Sequence, residues 1–232
     1  MLKEIATHVK AAVSEAISLI KDDNFVGLGS GSTMAYAICE LGSLVKKEGL
    51  DVKVIPTSFQ TKMLALENGL NVIDWMQDRR LDLAIDGADQ VEVNSLNLIK
   101  GGGAALTREK IVDSNSKELI IVIDEIKLTE RLGHNQPVPI EVIPFGYKAV
   151  LKELKDLKGK PNLRESAGKV GPVITDNGNF IIDVTYDSIT DPEEMEKKLK
   201  IIPGVIETGL FIGITNKVYV GRKNNKVEIL KK

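Results

Sequence analysis

The stretch "IKGGGAALTREK", residues 99–110, places a cation, three glycines and a carboxylate close together in the chain. A glycine inside a regular element costs about 0.5–1 kcal/mol relative to alanine, so Gly101, Gly102 and Gly103 mark a backbone that approaches a ligand closely or takes positive φ. Their N–H groups, at the start of the helix predicted over "AALTREKIVD", form a concavity suited to an anion. Lys100 precedes this turn, and Glu109 lies about a turn and a half inside the helix. Helical side chains lean toward the N-terminus, so Glu109 is expected to face back toward the glycines. A base and a cation then converge on one small ligand. Taken singly, each residue has a plainer reading: a surface ion pair for Glu109 and a solvated Lys100.

Two other loops offer complementary chemistry. "GLGSGST", residues 27–33, is a glycine- and serine-rich turn between a strand and a helix, where backbone N–H groups meet the positive end of the helix dipole. A phosphate or carboxylate fits there. Its spacing matches neither the dinucleotide fingerprint nor the P-loop with its lysine, so a nucleotide is not indicated. The alternative is a tight turn capped by Ser32 or Thr33. "DGAD" sets Asp86 and Asp89 around Gly87 and Ala88 at a strand end. Such a pair suits the holding of sugar hydroxyls or the shuttling of their protons, although either aspartate alone also suits a cap or turn. The two histidines, His8 and His134, adjoin no acidic cluster in the sequence, and no metal site is expected.

The elements that must position these loops follow from periodicity. Ile5, Val9, Val13, Ala16, Ile17 and Ile20 recur at helical spacing, and "NFVGLGSGST" with "MAYAICELGSLV" then reads as strand, tight loop and helix. "VKVIPTS" predicts a strand, "TKMLALENG" a helix closed by Gly69, "LDLAIDGAD" a strand ending in acids, and "ELIIVID", residues 118–124, a strand. Strands alternating with helices predict a parallel sheet covered on both faces, whose ligands bind beyond the carboxyl ends of the strands. The loops after Leu28, Ile85 and Ile123 fall at those ends.

Beyond about Arg131 the proline-rich "GHNQPVPIEVIPFG" marks a passage into a second unit. There the predicted order is a strand at residues 139–143, the helix "YKAVLKELKDL", a strand near residues 162–165, the strand "FIIDVTY", the helix "PEEMEKKLKII" and the strand "GVIETG". That βαββαβ order is the split arrangement of a ferredoxin-like domain. The alternating tail "LFIGITNKVYVGRKNNKVEIL" either returns to the first sheet or forms a hairpin against it. The expected fold class is therefore α/β: a Rossmann-like parallel-sheet domain, residues 1–130 and 208–232, with an inserted α+β ferredoxin-like domain, residues 131–207.

Composition narrows the partners. The 232 residues carry 43% hydrophobic and 28% charged side chains, ordinary for a packed globular protein. With 31 basic and 33 acidic residues the net charge is -2, which gives no electrostatic reason for nucleic acid or an anionic membrane as partner. Any anion must be held by a local site. Cys39 is the one cysteine, so no intramolecular disulfide forms, and its apolar neighbours predict a small buried side chain. Lys3, Glu4, Lys10, Glu15 and Lys21 interrupt the apolar positions of the N-terminus, against a signal peptide or membrane span, so a cytoplasmic location is expected.

Taken together, "GLGSGST", "DGAD", "KGGGAALTREK" and the lysine of "DEIKL" resemble the ribose-5-phosphate isomerase family of the A type. "PVPIEVIPF", "GPVITDNGN" and "IPGVIETGLF" also match its patterns in order, so the resemblance covers essentially the whole chain. It implies a Rossmann-like domain with a ferredoxin-like insert. It also implies a cofactor-free aldose-ketose isomerase of the pentose phosphate pathway that acts on ribose 5-phosphate as a homodimer or homotetramer. Carried over by position, the general base falls on Glu109. The substrate-binding residues fall on Ser30, Gly31, Ser32 and Thr33, on Asp86, Gly87, Ala88 and Asp89, on Lys100, Gly101, Gly102 and Gly103, and on Lys127. Gln90 departs from the glutamate that usually follows "DGAD" in the family.

Overall fold

In the computed structural model, residues 5–74, 79–168 and 170–232 are described; Lys3 and Glu4 of the N-terminal reading lie outside them. In chain order the elements are α1 (Thr7–Ile17), β1 (Phe25–Leu28), α2 (Ser32–Glu48), β2 (Lys53–Pro56), α3 (Phe59–Glu67), β3 (Asn71–Val72), β4 (Leu83–Asp86), β5 (Gln90–Glu92), β6 (Leu98–Ile99) and α4 (Leu106–Ser114). These are followed by β7 (Leu119–Asp124), β8 (Leu128–Thr129), β9 (Val138–Val142), α5 (Tyr147–Asp156), β10 (Lys160–Leu163), β11 (Phe180–Thr185), α6 (Pro192–Lys200), β12 (Val205–Thr208), β13 (Leu210–Phe211), β14 (Lys217–Gly221) and β15 (Val227–Lys231). The chain forms two compact units: Met1–Ala88 with Arg108–Lys127 and Ile214–Lys232, and Asp89–Thr107 with Leu128–Gly213.

The first unit is built on a seven-stranded sheet in the order β15-β14-β7-β4-β1-β2-β3. All its pairings are parallel except β14 with β15. β1 and β4 are buried at every residue, as expected of parallel strands covered on both faces. Val26, Leu28, Ile85, Ile120 and Val122 pack with Val13 and Ile17 of α1 and with Met34, Ile38 and Leu41 of α2 in one apolar core. Both readings of the tail hold from Lys217 on, where β14 joins the parallel sheet beside β7 and also forms a hairpin with β15; its first residues, Leu210–Phe211, instead pair with β6 in the second unit.

Local chemistry explains several ends. Gly49 closes α2 in the left-handed region at φ 70°. Ser58 caps α3 by accepting from the Thr61 N–H, and Asn68 ends that helix one residue before the left-handed Gly69. Asp82 fastens the entry of β4 to that of β1: its carboxylate accepts from the Phe25 N–H at 3.0 Å, from Lys117 at 2.7 Å and from Arg79 at 3.1 Å. Burial pushes its pKa up, but those donors outweigh burial and hold the carboxyl below its ordinary value.

The second unit holds the antiparallel sheet β10-β11-β9-β12, which with α5 and α6 gives the βαββαβ order read from the sequence. Val138, Ile140 and Val142 pack with Ile182, Val184, Val150, Leu154 and Leu199 to form its core. Asp191 caps α6 by accepting from the Glu194 N–H, with Pro192 in the first turn. A second small sheet, β13-β6-β5-β8, has no counterpart in the sequence reading, because strands of two or three residues are too short to show a period. One smaller reading also changes: Cys39 is half-buried rather than buried. His8, which adjoins no acidic cluster in the sequence, lies 3.1 Å from the single carboxylate of Asp124.

Candidate active site

The strand order of the first unit reverses between β1 and β4, and the two loops leaving these strands meet there. Gly29, directly after β1, donates its N–H to the Ile85 carbonyl at 3.0 Å. The space a Cβ would need at Gly29 is filled by the Asp86 carboxylate, whose Oδ1 would lie 1.7 Å away. Asp86, the last residue of β4, is fully buried, and its Oδ1 accepts from the Gly87 N–H at 2.7 Å. The first aspartate of "DGAD" is thus tucked under the loop of "GLGSGST", and this requires a glycine at position 29.

The phosphate-type loop differs in detail from its sequence reading. The Ser30 hydroxyl lies 2.8 Å from those of Thr57 and Ser58 and 3.3 Å from that of Thr61, while Thr61 donates to the Gly29 carbonyl at 2.8 Å. Ser30 is therefore engaged with the polar turn after β2. Neither Ser32 nor Thr33 caps α2: the N-cap is Gly31 at φ 94°, with no side-chain cap bond, and Ser32 is the first helical residue. The Gly31 N–H reaches Gln60 Oε1 at 3.3 Å. Ser32 is exposed and Thr33 half-buried.

A cavity of about 350 Å³ opens at these strand ends, lined by Thr33, Gly87, Ala88, Asp124 and Lys127, with Ile5 from the residues before α1. The first turn of α2 and the segments after β4 and β7 therefore meet around one space, which Lys127 lines together with Thr33 and Gly87. Glu109 belongs to the same unit. It sits in the first turn of α4 and is 5% exposed, a buried carboxylate at the helix end whose dipole favours negative charge.

In the second unit, Lys100 follows β6 and is 3% exposed, with its ammonium 5.4 Å from the centre of the Phe211 ring and its N–H donating to the Gly209 carbonyl at 2.9 Å. Gly101 needs to be glycine twice over: its φ is 106°, and a Cβ would lie 3.0 Å from Leu106 and 3.1 Å from Pro139. The Gly102 N–H, expected to face an anion, donates instead to Asp89 Oδ2 at 2.7 Å, and a Cβ there would lie 2.7 Å from Oδ1 of the same carboxylate. Asp89 therefore braces the glycine turn. Gly103 is exposed, with open space around its missing side chain.

Gln90 is buried, donating from Nε2 to the His134 carbonyl and accepting at Oε1 from the Gly133 N–H, both at 2.8 Å. An amide serves both groups, and a carboxylate cannot donate to the first. Sequence reasoning missed Thr57, Ser58, Gln60 and Thr61. Their available signal was the cluster of polar side chains in "PTSFQT", directly at the carboxyl end of another parallel strand. Among the described residues, no group of three or more His, Cys, Asp or Glu side chains is placed to hold a metal ion.

A doubly wound parallel sheet with a glycine-rich loop and an acidic loop at its reversal point, joined to a ferredoxin-like unit, defines an α/β protein of the Rossmann-like class. Comparison with known proteins is more specific. The model of the ribose 5-phosphate isomerase A (phosphoriboisomerase A) family matches residues 53–225. Ribose-5-phosphate isomerase A of Methanococcus aeolicus is 52% identical over 237 residues, covering 100% of both chains. The structure of ribose 5-phosphate isomerase A from Methanocaldococcus jannaschii superposes with a TM-score of 0.92 at 46% identity, covering 97% of this chain and 98% of that one. A D-ribose-5-phosphate isomerase in complex with phospho-erythronic acid superposes at 0.95, also at 46% identity, covering 99% and 100%. The chain belongs to the ribose 5-phosphate isomerase A family.

Proposed function

We propose that this chain is an aldose-ketose isomerase that interconverts D-ribose 5-phosphate and D-ribulose 5-phosphate through an enediolate, in the non-oxidative pentose phosphate pathway. The observation that carries this reading is the convergence of Thr33 from the first turn of α2 with Gly87, Ala88 and Lys127 from the segments after β4 and β7 on one cavity, in a unit that also buries the carboxylates of Asp86 and Glu109. The relative in complex with phospho-erythronic acid, a phosphorylated sugar acid, supports a ligand of this class.

Glu109, as carboxylate, removes the proton from carbon 2 of the open-chain aldose. The C–H electrons form a double bond to carbon 1, and the former aldehyde oxygen takes up the negative charge. A proton then passes from the oxygen on carbon 2 to the oxygen on carbon 1, and Glu109 returns its proton to carbon 1, leaving the ketose. A positioned base of this kind contributes roughly 10²- to 10⁴-fold. Lys100 neutralises the developing oxyanion, on the order of 3–4 kcal/mol for a well-placed donor. Asp86 and Asp89 serve ring opening and the proton movement between oxygens. Residues 30–33 and Lys127 hold the phosphate, so that remote binding energy orients the reacting carbons. Gly87, Ala88 and the turn 101–103 complete the substrate contacts.

By chain order we assign residues 1–130 and 208–232 to the catalytic domain and 131–207 to the insert, while residues 89–107, 128–130 and 208–213 pack with the insert in the second compact unit. The protein works in the cytoplasm as a homodimer or homotetramer, with no nucleic acid or membrane partner and no cofactor. No helix among the described residues is long and apolar enough to cross a membrane.

The roles are tested with Glu109→Gln, assayed for ribulose 5-phosphate formation and for ligand binding. Turnover is expected to fall at least 100-fold with sugar-phosphate affinity retained. Near-normal turnover removes Glu109 from the base role.

A further inference from the structure

The turn 101–103 is gripped from two sides within the second unit. Asp89 accepts from the Gly102 N–H at 2.7 Å. On the carbonyl side stands Arg164, just beyond the end of β10, whose Nη1 donates to the Gly101 carbonyl at 2.9 Å and to the Gly102 carbonyl at 3.0 Å. The same guanidinium is itself fixed. Its Nε and Nη2 form a fork on the Asp183 carboxylate of β11, at 2.7 and 2.5 Å, with both side chains largely buried. Forked arginine-carboxylate pairs add geometric definition as well as energy, and lysine does not reproduce them.

The freedom that three glycines confer makes this grip consequential. A glycine turn has many accessible backbone conformations, and its position must be imposed by neighbours. At Gly101 the φ is positive and a Cβ would crowd Leu106 and Pro139, whereas a Cβ at Gly103 would meet nothing within 4 Å. Arg164, braced by Asp183, holds the two carbonyls and so sets the direction of the chain leaving Lys100.

We infer that Arg164, held by Asp183, is a positioning residue for the isomerase reaction: it fixes the glycine turn and through it the ammonium of Lys100. This rests on the role given to Lys100 above. Displacements of about 1 Å in a catalytic group cost up to roughly 100-fold in rate, so loss of the grip belongs in kcat.

The test is a double-mutant cycle on the full chain, with Arg164→Ala, Lys100→Ala and the pair, each checked for folding by circular dichroism and assayed for ribose 5-phosphate isomerisation. Arg164→Ala is expected to lower kcat roughly 10- to 100-fold with KM changed less than about 3-fold. In the Lys100→Ala background the same change is expected to cost less than about 3-fold, because the group being positioned is gone. Millimolar guanidinium ion should restore part of the Arg164→Ala activity, whereas Arg164→Lys should not. If Arg164→Ala does not fold, Asp183→Asn, which loosens the same guanidinium from behind, carries the comparison. A Lys100→Ala loss accompanied by unchanged kcat in the Arg164 or Asp183 variant overturns the positioning role, as do fully additive losses. Near-normal kcat in Lys100→Ala overturns the Lys100 reading, and this inference falls with it.

Discussion

Gly29→Ala isolates the dependence of the site on one missing side chain. A Cβ at position 29 would lie 1.7 Å from Asp86 Oδ1 and 1.9 Å from its Cγ. A carbon and an oxygen in van der Waals contact sit about 3.3 Å apart, so the carboxylate or the loop must move by roughly 1.5 Å. Both positions are tightly held: Asp86 is fully buried with a bond to the Gly87 N–H, and the Gly29 N–H is bonded to the Ile85 carbonyl. Overpacking of this kind costs about 1–3 kcal/mol of stability. For activity, a displacement beyond 1 Å in a catalytic group predicts a loss of about 100-fold or more in kcat. The assay is isomerisation of ribose 5-phosphate at a temperature well below the unfolding midpoint, alongside Gly168→Ala, where a Cβ would meet nothing within 4 Å and little change is expected. Wild-type kcat in Gly29→Ala would refute the reasoning, since either Asp86 would be dispensable or its position would not matter.

Two further predictions concern stability. Burial pushes the Tyr186 phenol up to about 12 from 10.0, so the unfolded chain ionises first as pH rises and the folded state loses stability between about pH 10 and 12. Over two units the loss is on the order of 3 kcal/mol, and Tyr186→Phe should remove that part of the alkaline slope, read by urea unfolding at pH 9 and 11.5; an unchanged slope would show that the phenol ionises freely in the folded state. Glu141, fully buried in β9, accepts at Oε1 from Thr175 at 2.8 Å, Asn177 at 3.1 Å and Asn179 at 2.8 Å, and at Oε2 from Thr107 at 2.5 Å. Glu141→Leu strands these donors and should cost at least about 3 kcal/mol. Glu141→Gln should cost about half as much, because the Thr107 hydroxyl can turn to accept from the new amide, and equal losses in the two variants would contradict this arrangement.

The parallel sheet and the βαββαβ unit were legible because nearly all their strands and helices are long enough to repeat a pattern; the two-residue edge strand β3 is not, and was missed. The three polar loops at strand ends were legible because glycine and aspartate stand there for a reason of geometry. The small sheet β13-β6-β5-β8 was not, since its two- and three-residue strands carry no period and one of its pairings, Leu210 with Ile99, spans more than a hundred residues. The site showed the same division. Lys127 lines a cavity with Thr33, and Asp86 lies beneath Gly29, but a list of residue types says nothing of which polar groups are already engaged. Ser30 faces Thr57 and Ser58, and the Gly102 N–H faces Asp89. Arg164 was invisible as a partner of the glycine turn because only the folded second unit brings it there.

Incubation of the purified protein with ribose 5-phosphate in deuterated buffer, with chelator and without nucleotide, is the decisive measurement. Proton transfer by Glu109 predicts that the wild type forms ribulose 5-phosphate, with deuterium at carbon 1 in proportion to exchange of the abstracted proton with solvent before its return, and that Glu109→Gln forms it at least 100-fold more slowly. No ribulose 5-phosphate at high protein concentration would contradict the isomerase assignment.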